Sequence, residues 1–268
     1  MTAKSTAKQD VNNWSHYTPW DLAWHLAVNA IDPLLSVGTS VDDIFVLDPA
    51  CGDGELLLAA ATHLEQLGMS RADTVNHVVG CDIDEVAVVS ARERLYEWCA
   101  KEPLGLTVGS AFDQNWSNEF GRGRGPNCVV MNPPFKGGNK IDTELRATLN
   151  ARWRGPKTAD LSAYFLRLAG DVLCQNRGPV SLGCLATNTI AQGDTRELGL
   201  LPMMTDDGWD LWVTSGSFEW PGLAAVACKL FVLVHSMPLP EERRLPMWAS
   251  TRLRTHTVGL FNEDEGAS

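Results

Sequence analysis

The sequence predicts an α/β protein with a mostly parallel sheet of seven strands, helices on both faces of that sheet, and a late antiparallel hairpin. Two observations lead to this prediction. Short apolar runs alternate along the chain with longer segments of helical spacing, which is the pattern of parallel strands joined by crossover helices. Hydrophobic residues make up 44% of the 268 residues, which suits one large globular domain with a sizeable core.

The elements follow in chain order from these patterns. Helices are predicted over residues 21–35, 55–67, 85–100 and 160–174. In the third of these helices, Val86, Val89, Leu95 and Trp98 are available for packing. Strands are predicted over residues 44–47, 77–81, 104–108, 127–131, 179–186, 209–214 and 223–234, and the last two are expected to form a hairpin around Trp220, Pro221 and Gly222.

Composition excludes several classes of protein. The chain has no apolar run of about 18 residues that would cross a membrane, and its polar first ten residues lack the apolar core of a signal peptide. The seven cysteines include no C-x-x-C pair, and an odd number without a signal peptide fits a reducing cytoplasm. The six histidines show no ligand spacing with cysteines or carboxylates, so no metal site is predicted.

A basic segment interrupts an otherwise acidic chain. The formal net charge is −11, yet residues 122–157 hold eight basic and two acidic residues, which leaves −17 on the remainder. Such a segment is typical of an edge that faces phosphates, although a solvated basic loop gives the same pattern. The candidate DNA contacts within it are Lys136, Lys140, Arg152, Arg154 and Lys157.

The most informative stretch is the one formed by Asn132, Pro133, Pro134 and Phe135, which follows the apolar run 128–131. The prolines fix φ and donate no backbone hydrogen bond, and a residue before proline is pushed towards an extended conformation. A buried strand is therefore expected to end in a stiff hook that presents an amide oxygen and a backbone carbonyl beside an aromatic ring. This arrangement suits an exocyclic amino group on a planar ring.

Two further strands are predicted to end in acidic side chains. The first ends in the turn 48–54, where Gly52 and Gly54 let a ligand approach the backbone, and the second ends at Asp82, where a carboxylate can bind ribose hydroxyls. The third glycine of a dinucleotide fingerprint is absent, because Leu57 occupies its place. A carboxylate at Asp48 disfavours a pyrophosphate and suits a cationic ligand, so S-adenosylmethionine is favoured over NAD.

These motifs together resemble a known family. The stretches 16–19, 48–54, 80–84 and 132–135 resemble, in order and spacing, the motifs of adenine-N6 DNA methyltransferases of the gamma arrangement. The stretches 157–165 and 186–193 resemble the methylases of type IIG restriction–modification and phage-defence systems. The resemblance covers about residues 14–236. It implies a Rossmann-like class I methyltransferase fold, S-adenosylmethionine as the cofactor and DNA as the substrate.

The resemblance also implies roles for matching positions. The Asn132 side-chain oxygen and the Pro133 carbonyl would accept hydrogen bonds from the adenine N6 amino group during direct in-line attack. Phe135 would stack on the flipped-out base. Ile83 would pack on the adenine ring of the cofactor, and Ser110 stands where many relatives carry Asp or Asn. The cofactor-binding candidates are Tyr17, Thr18, Pro19, Asp48, Pro49, Ala50, Gly52, Gly54, Asp82, Ile83, Ser110 and Ala111.

Alternatives remain at several positions. Residues 187–189 are predicted to line the target pocket, with Asn188 as a DNA-contact candidate, or to cap the segment that follows. Trp220 and Trp153 are interpreted as packing residues or as base contacts. The hook also suits a methyltransferase that acts on a glutamine side chain or an RNA base, and a non-catalytic subunit of a restriction or defence complex.

The chain is expected to divide into three parts. Residues 1–13 are predicted to form a polar N-terminal extension, residues 14–236 the methyltransferase domain, and residues 237–268 a tail or truncated linker. A domain of about 100 to 200 residues that reads DNA sequence is not expected in this chain. Sequence specificity is therefore expected to come from a separate domain or subunit.

Overall fold

The computed structural model describes residues 18–116, 125–156, 158–220 and 226–238. Strands in this part of the chain form one mixed sheet. They are β1 (Val46–Asp48), β2 (Val78–Asp82), β3 (Leu106–Val108), β4 (Cys128–Met131), β5 (Val180–Thr187), β6 (Asp210–Thr214), β7 (Phe218–Glu219) and β8 (Ala227–His235). The helices are α1 (Trp20–Ser36), α2 (Glu55–Gln66), α3 (Arg71–Thr74), α4 (Glu85–Cys99), α5 (Thr143–Arg152), α6 (Leu161–Leu173), α7 (Gly193–Leu198) and α8 (Leu200–Thr205).

The strand order places a switch point between β1 and β4. The sheet runs β3-β2-β1-β4-β5-β8-β6, and the first five strands along this path are parallel. β1 and β4 are direct neighbours, with Leu47 paired to Val129. Chain order reverses between these two strands, and in open α/β sheets ligands bind beyond the carboxyl ends of the strands at such a point.

The far end of the sheet is antiparallel. β8 pairs with β5 on one side and with β6 on the other. The predicted late hairpin is confirmed by the β6–β8 pair, although Pro221 and Gly222 at its predicted turn lie outside the described residues. β7 adds a two-residue strand that the sequence prediction omitted, because Phe218 and Glu219 pair with the start of β8.

Apolar layers cover both faces of the sheet. α1, α2 and α4 bury their apolar sides on one face, where Leu26, Leu57 and Leu64 are fully enclosed. α6 covers the other face together with α8, and Tyr164 and Trp209 are fully buried there. Neighbouring strand residues alternate between these layers, as Val46 and Leu47 do, so the parallel strands β2, β1, β4 and β5 are buried on both sides, whereas Val108 of the edge strand β3 is exposed.

One prediction about α4 is wrong. Val86 and Val89 are exposed, while Leu95 is buried and Trp98 is partly buried. The buried face follows Ala87, Val88, Ala91, Leu95 and Cys99 instead, because small residues there let the helix lie close to the sheet and α2. Helix α5 and the short helices α3, α7 and α8 were also not predicted. None of the helices in the described ranges is long and apolar enough to span a lipid bilayer.

Candidate active site at the carboxyl ends of the strands

The structure brings the predicted site residues to one edge of the sheet. Asp48 ends β1, Asp82 ends β2, and Ser110 follows the end of β3 by two residues. Asn132 follows β4 directly, and Asn188 follows β5. Because β1, β2, β3, β4 and β5 are parallel, all five residues leave the sheet on the same side.

The turn from Asp48 to Gly54 requires its glycines. Gly52 and Gly54 adopt left-handed conformations with φ of +52° and +82°, which residues with a side chain rarely adopt. A Cβ atom on Gly54 would lie 2.9 Å from the Ala91 Cβ atom, whereas a Cβ atom on Gly52 would meet nothing within 4 Å. Gly54 therefore packs against α4, and Gly52 borders open space.

The turn is fastened to the end of β2. The Gly52 backbone N–H donates to Asp82 Oδ2 at 2.9 Å, and the Cys51 N–H donates to the Cys81 carbonyl at 3.0 Å. The other Asp82 oxygen, Oδ1, accepts from the Asp84 N–H at 3.0 Å. The Asp82 carboxylate thus links the turn that contains Gly52 to the loop that follows β2. The next residue in that loop, Ile83, is 79% exposed.

Asp48 is the most strongly perturbed carboxyl group of the site. Its side chain is buried, with Oδ1 accepting from the Ala50 N–H at 3.0 Å and Oδ2 without a hydrogen-bond partner among the described residues. Burial raises the pKa of Asp48 to about 8, and the negative charge of Asp82 contributes further. A carboxyl group in this state favours a nearby cation, which would stabilise its ionised form.

A buried thiol lies beside this carboxyl group. Burial raises the pKa of Cys51 well above its usual value, and the neighbouring charges of Asp48 and Asp82 act in the same direction. The thiol is therefore protonated at neutral pH, which is the unreactive form of cysteine.

The third loop of the site ends β3. The Ser110 hydroxyl oxygen accepts from the Phe112 N–H at 3.3 Å and so caps a short 3₁₀ turn over residues 111–113, in which Ala111 is buried. The Gly109 N–H donates to the Asp82 carbonyl at 2.8 Å, which ties this loop to the end of β2.

The hook after β4 is joined to the residues that precede α1. The Asn132 side-chain amide donates to Thr18 Oγ1 at 3.0 Å, and Pro19 follows Thr18 at the start of α1. This contact fixes the plane of the amide, and Asn132 Oδ1 is its acceptor end. The predicted cofactor contact Thr18 and the predicted catalytic Asn132 are thus in direct contact.

Aromatic packing supports the other end of the hook. The rings of Phe135 and Trp220 meet edge to face, with centroids 5.8 Å apart and an interplanar angle of 84°. Trp220 is buried, so it packs behind Phe135, in agreement with the packing interpretation. Trp153 is buried in the core as well, and its ring N–H donates to Asp171 at 3.1 Å.

The predicted DNA contacts differ in their surroundings. Arg154 and Lys140 are exposed and Lys136 is partly buried, whereas Arg152 forms an ion pair with Asp171 at 3.1 Å and lies over the Trp153 ring. Asn188 donates to Ser217 Oγ at 2.6 Å, and its buried Oδ1 has no hydrogen-bond partner among the described residues. Lys157 and Tyr17 lie outside the described residues.

Sequence reasoning missed two residues that support the site. Arg94 on α4 forms ion pairs with Asp53, at 2.5 Å, and with Glu55. Asp160 contacts the loop after the hook and the turn after β5. Both contacts join residues far apart in the chain. Asp160 was predicted only as the first residue of the helix 160–174 and as part of the stretch 157–165 that resembles type IIG methylases.

Comparison with known proteins decides the family. Residues 2–173 match the family described as N-6 DNA Methylase. The chain belongs to this family.

In the described residues, no group of three or more His, Cys, Asp or Glu side chains is arranged to hold a metal ion.

Individual relatives agree with this assignment. The type II methyltransferase M.BanIII of Aneurinibacillus aneurinilyticus is 40% identical over 131 residues, which cover 45% of this chain and 22% of that protein. The type IIG restriction endonuclease BpuSI superposes with a TM-score of 0.61 at 16% identity, over 84% of this chain and 26% of BpuSI. The chain thus spans about a quarter of the length of these relatives.

The fold comparison confirms the predicted fold class. A Listeria monocytogenes protein described as a class I S-adenosylmethionine-dependent methyltransferase superposes with a TM-score of 0.58 at 12% identity, over 83% of this chain and 61% of the other. The Rossmann-like class I methyltransferase fold predicted from the motifs is therefore correct, and so is the predicted resemblance to type IIG methylases.

Proposed function

We propose that this chain is the methyl-transferring core of an adenine-N6 DNA methyltransferase that uses S-adenosylmethionine. One observation carries the proposal. Asn132 and Asp48 leave neighbouring parallel strands at the switch point of the sheet, and Thr18 hydrogen-bonds to Asn132 beside them. The acceptor hook and the turn suited to a cationic ligand therefore lie side by side at one edge of the sheet.

The residues of the first two strand ends fit the cofactor. S-adenosylmethionine, when bound, supplies an electrophilic methyl group on a sulfonium. Asp48 offers a buried carboxylate oxygen without a partner among the described residues, which suits the positive end of this molecule. Gly52 borders open space, Asp82 lies where a ribose would be held, and the exposed Ile83 offers an apolar surface for a base.

The hook is suited to an amino group that is a weak nucleophile. The lone pair of adenine N6 is delocalised into the ring, so the nitrogen must become more tetrahedral to attack. Asn132 Oδ1 and the Pro133 carbonyl would each accept a hydrogen bond from the amino group and favour that geometry. Acceptors that are already in place stabilise the transition state without reorganisation, which is the largest contribution in many enzymes.

The protein needs no covalent intermediate for this reaction. Direct attack requires orientation of the two reactants, and orientation alone lowers barriers by several kcal/mol, up to about 7 to 11 kcal/mol in well-aligned cases. Cys51 lies beside Asp48, but its buried thiol is held protonated by a raised pKa. Its role is to pack beneath the turn.

The target base would enter from the side of β4 and β5. A paired adenine hides its amino group within the duplex, so the base would be flipped out and stacked on Phe135. Asn188, which has a buried acceptor oxygen next to this region, would line the pocket. Lys136, Lys140 and Arg154 would contact backbone phosphates, and the basis for selecting a sequence would lie in a separate domain or subunit.

Transfer of a radioactive methyl group tests the proposal. The protein is incubated with labelled S-adenosylmethionine and unmethylated DNA, and N6-methyladenine is identified in the hydrolysed DNA. Asn132→Ala should abolish labelling while cofactor binding persists, and Asn76→Ala, which alters an exposed residue far from the hook, should label DNA like the wild type. Label in protein or RNA instead of DNA would overturn the substrate assignment. Cofactor binding without transfer to any acceptor would favour a non-catalytic subunit.

A further inference from the structure

The carboxylate of Asp160 does not cap the helix that it precedes. Asp160 occupies the N-cap position of α6, where an Asp side chain normally accepts from a backbone N–H of the first turn, yet it makes no such bond. Asp142 and Asp84 occupy the same position before α5 and α4, and both cap their own helices in the usual way. The Asp160 carboxylate is therefore used elsewhere.

The two oxygens of this carboxylate join two separate loops. Oδ1 accepts from the Gly138 N–H at 3.2 Å, in the loop that follows the hook. Oδ2 accepts from the Thr189 hydroxyl at 2.7 Å, in the turn that follows β5 and contains Asn188. Because β4 and β5 are neighbouring strands, with Met131 paired to Cys184, these loops form adjacent walls of the same edge.

Backbone contacts reinforce the first of these links. The Leu161 N–H donates to the Lys136 carbonyl at 3.0 Å, next to the hook. A Cβ atom on Gly138 would lie 2.4 Å from the Thr158 carbonyl carbon and 2.8 Å from the Ala159 carbonyl oxygen. Only glycine lets the loop approach the start of α6 closely enough for its N–H to reach Asp160.

The position of Asp160 is itself fixed from the other side. Its backbone N–H donates to Thr195 Oγ1 at 3.1 Å, and Thr195 is buried in α7. The backbone of Asp160 is therefore tied to a buried residue of α7, and the carboxylate does not project from a free loop end. Such support is what holds catalytic groups in productive geometry.

We infer that Asp160 is a positioning residue for methyl transfer, which holds the loop of Asn132 and Phe135 in register with the turn of Asn188. This inference rests on the proposed function. Asp160 supports the side where the target base would enter, whereas the cofactor side depends on Asp48, Gly52 and Asp82 at the ends of other strands. Loss of the carboxylate should therefore impair transfer and leave cofactor affinity unchanged.

The geometric part is tested by hydrogen exchange in the ligand-free protein, followed by mass spectrometry. In Asp160→Ala, peptides that cover residues 136–141 and residues 188–192 should both exchange about tenfold faster or more. Asp142→Ala removes an ordinary helix cap and should accelerate exchange only at the start of α5. Unchanged exchange in either of the two loops of Asp160→Ala would overturn the inference.

The functional part is tested by separating binding from transfer. Asp160→Ala should lower the single-turnover transfer rate about 10- to 100-fold, since a displacement of 1 Å at an active site can cost about 100-fold. The cofactor dissociation constant of this variant should stay within about twofold of the wild-type value. Asp160→Asn keeps one acceptor oxygen and should restore part of the rate. Gly138→Ala should reproduce the defect from the other partner, and Gly178→Ala, whose new methyl group meets open space, should not.

The outcomes separate the two proposals. A transfer rate within threefold of wild type in Asp160→Ala, or equal losses of rate and cofactor affinity, would contradict a positioning role. If Asp160→Ala fails to fold, Asp160→Asn and Gly138→Ala decide the same question. A wild-type protein that does not methylate DNA even after candidate recognition subunits are added would sink the proposed function, while the exchange data would still decide whether Asp160 joins the two loops.

Discussion

Thr18 and Asn132 are 114 residues apart in the sequence and are joined by one hydrogen bond of 3.0 Å between the Asn132 amide and Thr18 Oγ1. Thr18 precedes α1 and Asn132 follows β4, so this bond links a predicted cofactor contact to the predicted catalytic residue. An amide that uses its nitrogen in this way directs its oxygen to the opposite side, where an acceptor for the adenine amino group is needed.

Removal of the Thr18 hydroxyl should therefore slow methyl transfer. Thr18→Val keeps the shape of the side chain but cannot accept from Asn132, so the amide loses its fixed plane. We expect the single-turnover rate to fall about 10- to 100-fold, because a small misplacement of a reacting group can cost about 100-fold. Thr18→Ser keeps the acceptor oxygen and should retain most of the rate. Equal rates for the Val and Ser variants would contradict this role of the hydroxyl.

Asp48 should make the protein less stable as the pH rises. The pKa of Asp48 is about 8 in the folded protein, against an ordinary value of 3.8, so between these values the folded state holds a proton that the unfolded state has lost. The free energy of unfolding should then fall by up to about 1.4 kcal/mol per pH unit through this window and level off above pH 8.

The variant Asp48→Asn isolates this effect, since its amide has no titrating proton. Its advantage in free energy of unfolding over the wild type should grow as the pH rises from 5 to 8, as measured by denaturant unfolding at each pH. The same variant should bind S-adenosylmethionine more weakly, because the carboxylate that suits a cation is gone. Parallel pH profiles of stability for the two proteins would show that Asp48 does not titrate in this range.

Arg94 should matter for the cofactor turn although it lies on α4. Burial raises the pKa of Asp53 and of Glu55, and the Arg94 charge opposes that rise by stabilising both carboxylates. Arg94→Met should cost about 1 to 3 kcal/mol of stability, less than a fully buried pair because the Arg94 side chain is 35% exposed. The cofactor dissociation constant should increase about tenfold, as measured by calorimetry.

Matched variants distinguish this role of Arg94 from general loss of charge. Arg71 forms a more exposed ion pair with Glu65, so Arg71→Met should change stability much less than Arg94→Met and leave cofactor binding intact. In the double variant Arg94→Met/Asp53→Asn, the losses should be less than additive, because a neutral amide at position 53 no longer needs the cation. Additive losses would argue against a functional pair.

The overall fold was predictable because its signals are local. Apolar strands that end in Asp48, Asp82 and Asn132 are visible in single stretches of sequence, and strand alternation fixes the parallel sheet. The buried side of α4 was mispredicted because Val86 and Val89 are more hydrophobic than Ala87 and Ala91, yet small side chains occupy the close contacts. Hydrophobicity alone does not report how near two elements approach.

The supporting contacts of the site were not predictable, because they depend on distant partners. Arg94 meets Asp53 from 41 residues away, and Asp160 meets Thr189 from 29 residues away. The Arg152 side chain stays a predicted DNA contact, and the sequence did not show that it pairs with Asp171 and lies over the Trp153 ring. The sequence shows the sign of a charged side chain but not which residues surround it.

Gly54 provides a test of how closely α4 must approach the cofactor turn. Gly54 and Gly38 both have φ in the left-handed region, at +82° and +88°. A methyl group added to Gly54 would lie 2.9 Å from the Ala91 Cβ atom, whereas one added to Gly38 would meet nothing within 4 Å. Gly38→Ala should therefore cost only the backbone strain, about 1 kcal/mol. Gly54→Ala adds a steric clash, so it should cost about 1 to 3 kcal/mol more and weaken cofactor binding by displacing Gly52. Thermal unfolding with and without cofactor measures both effects, and equal losses in the two variants would show that the Ala91 contact does not constrain the turn.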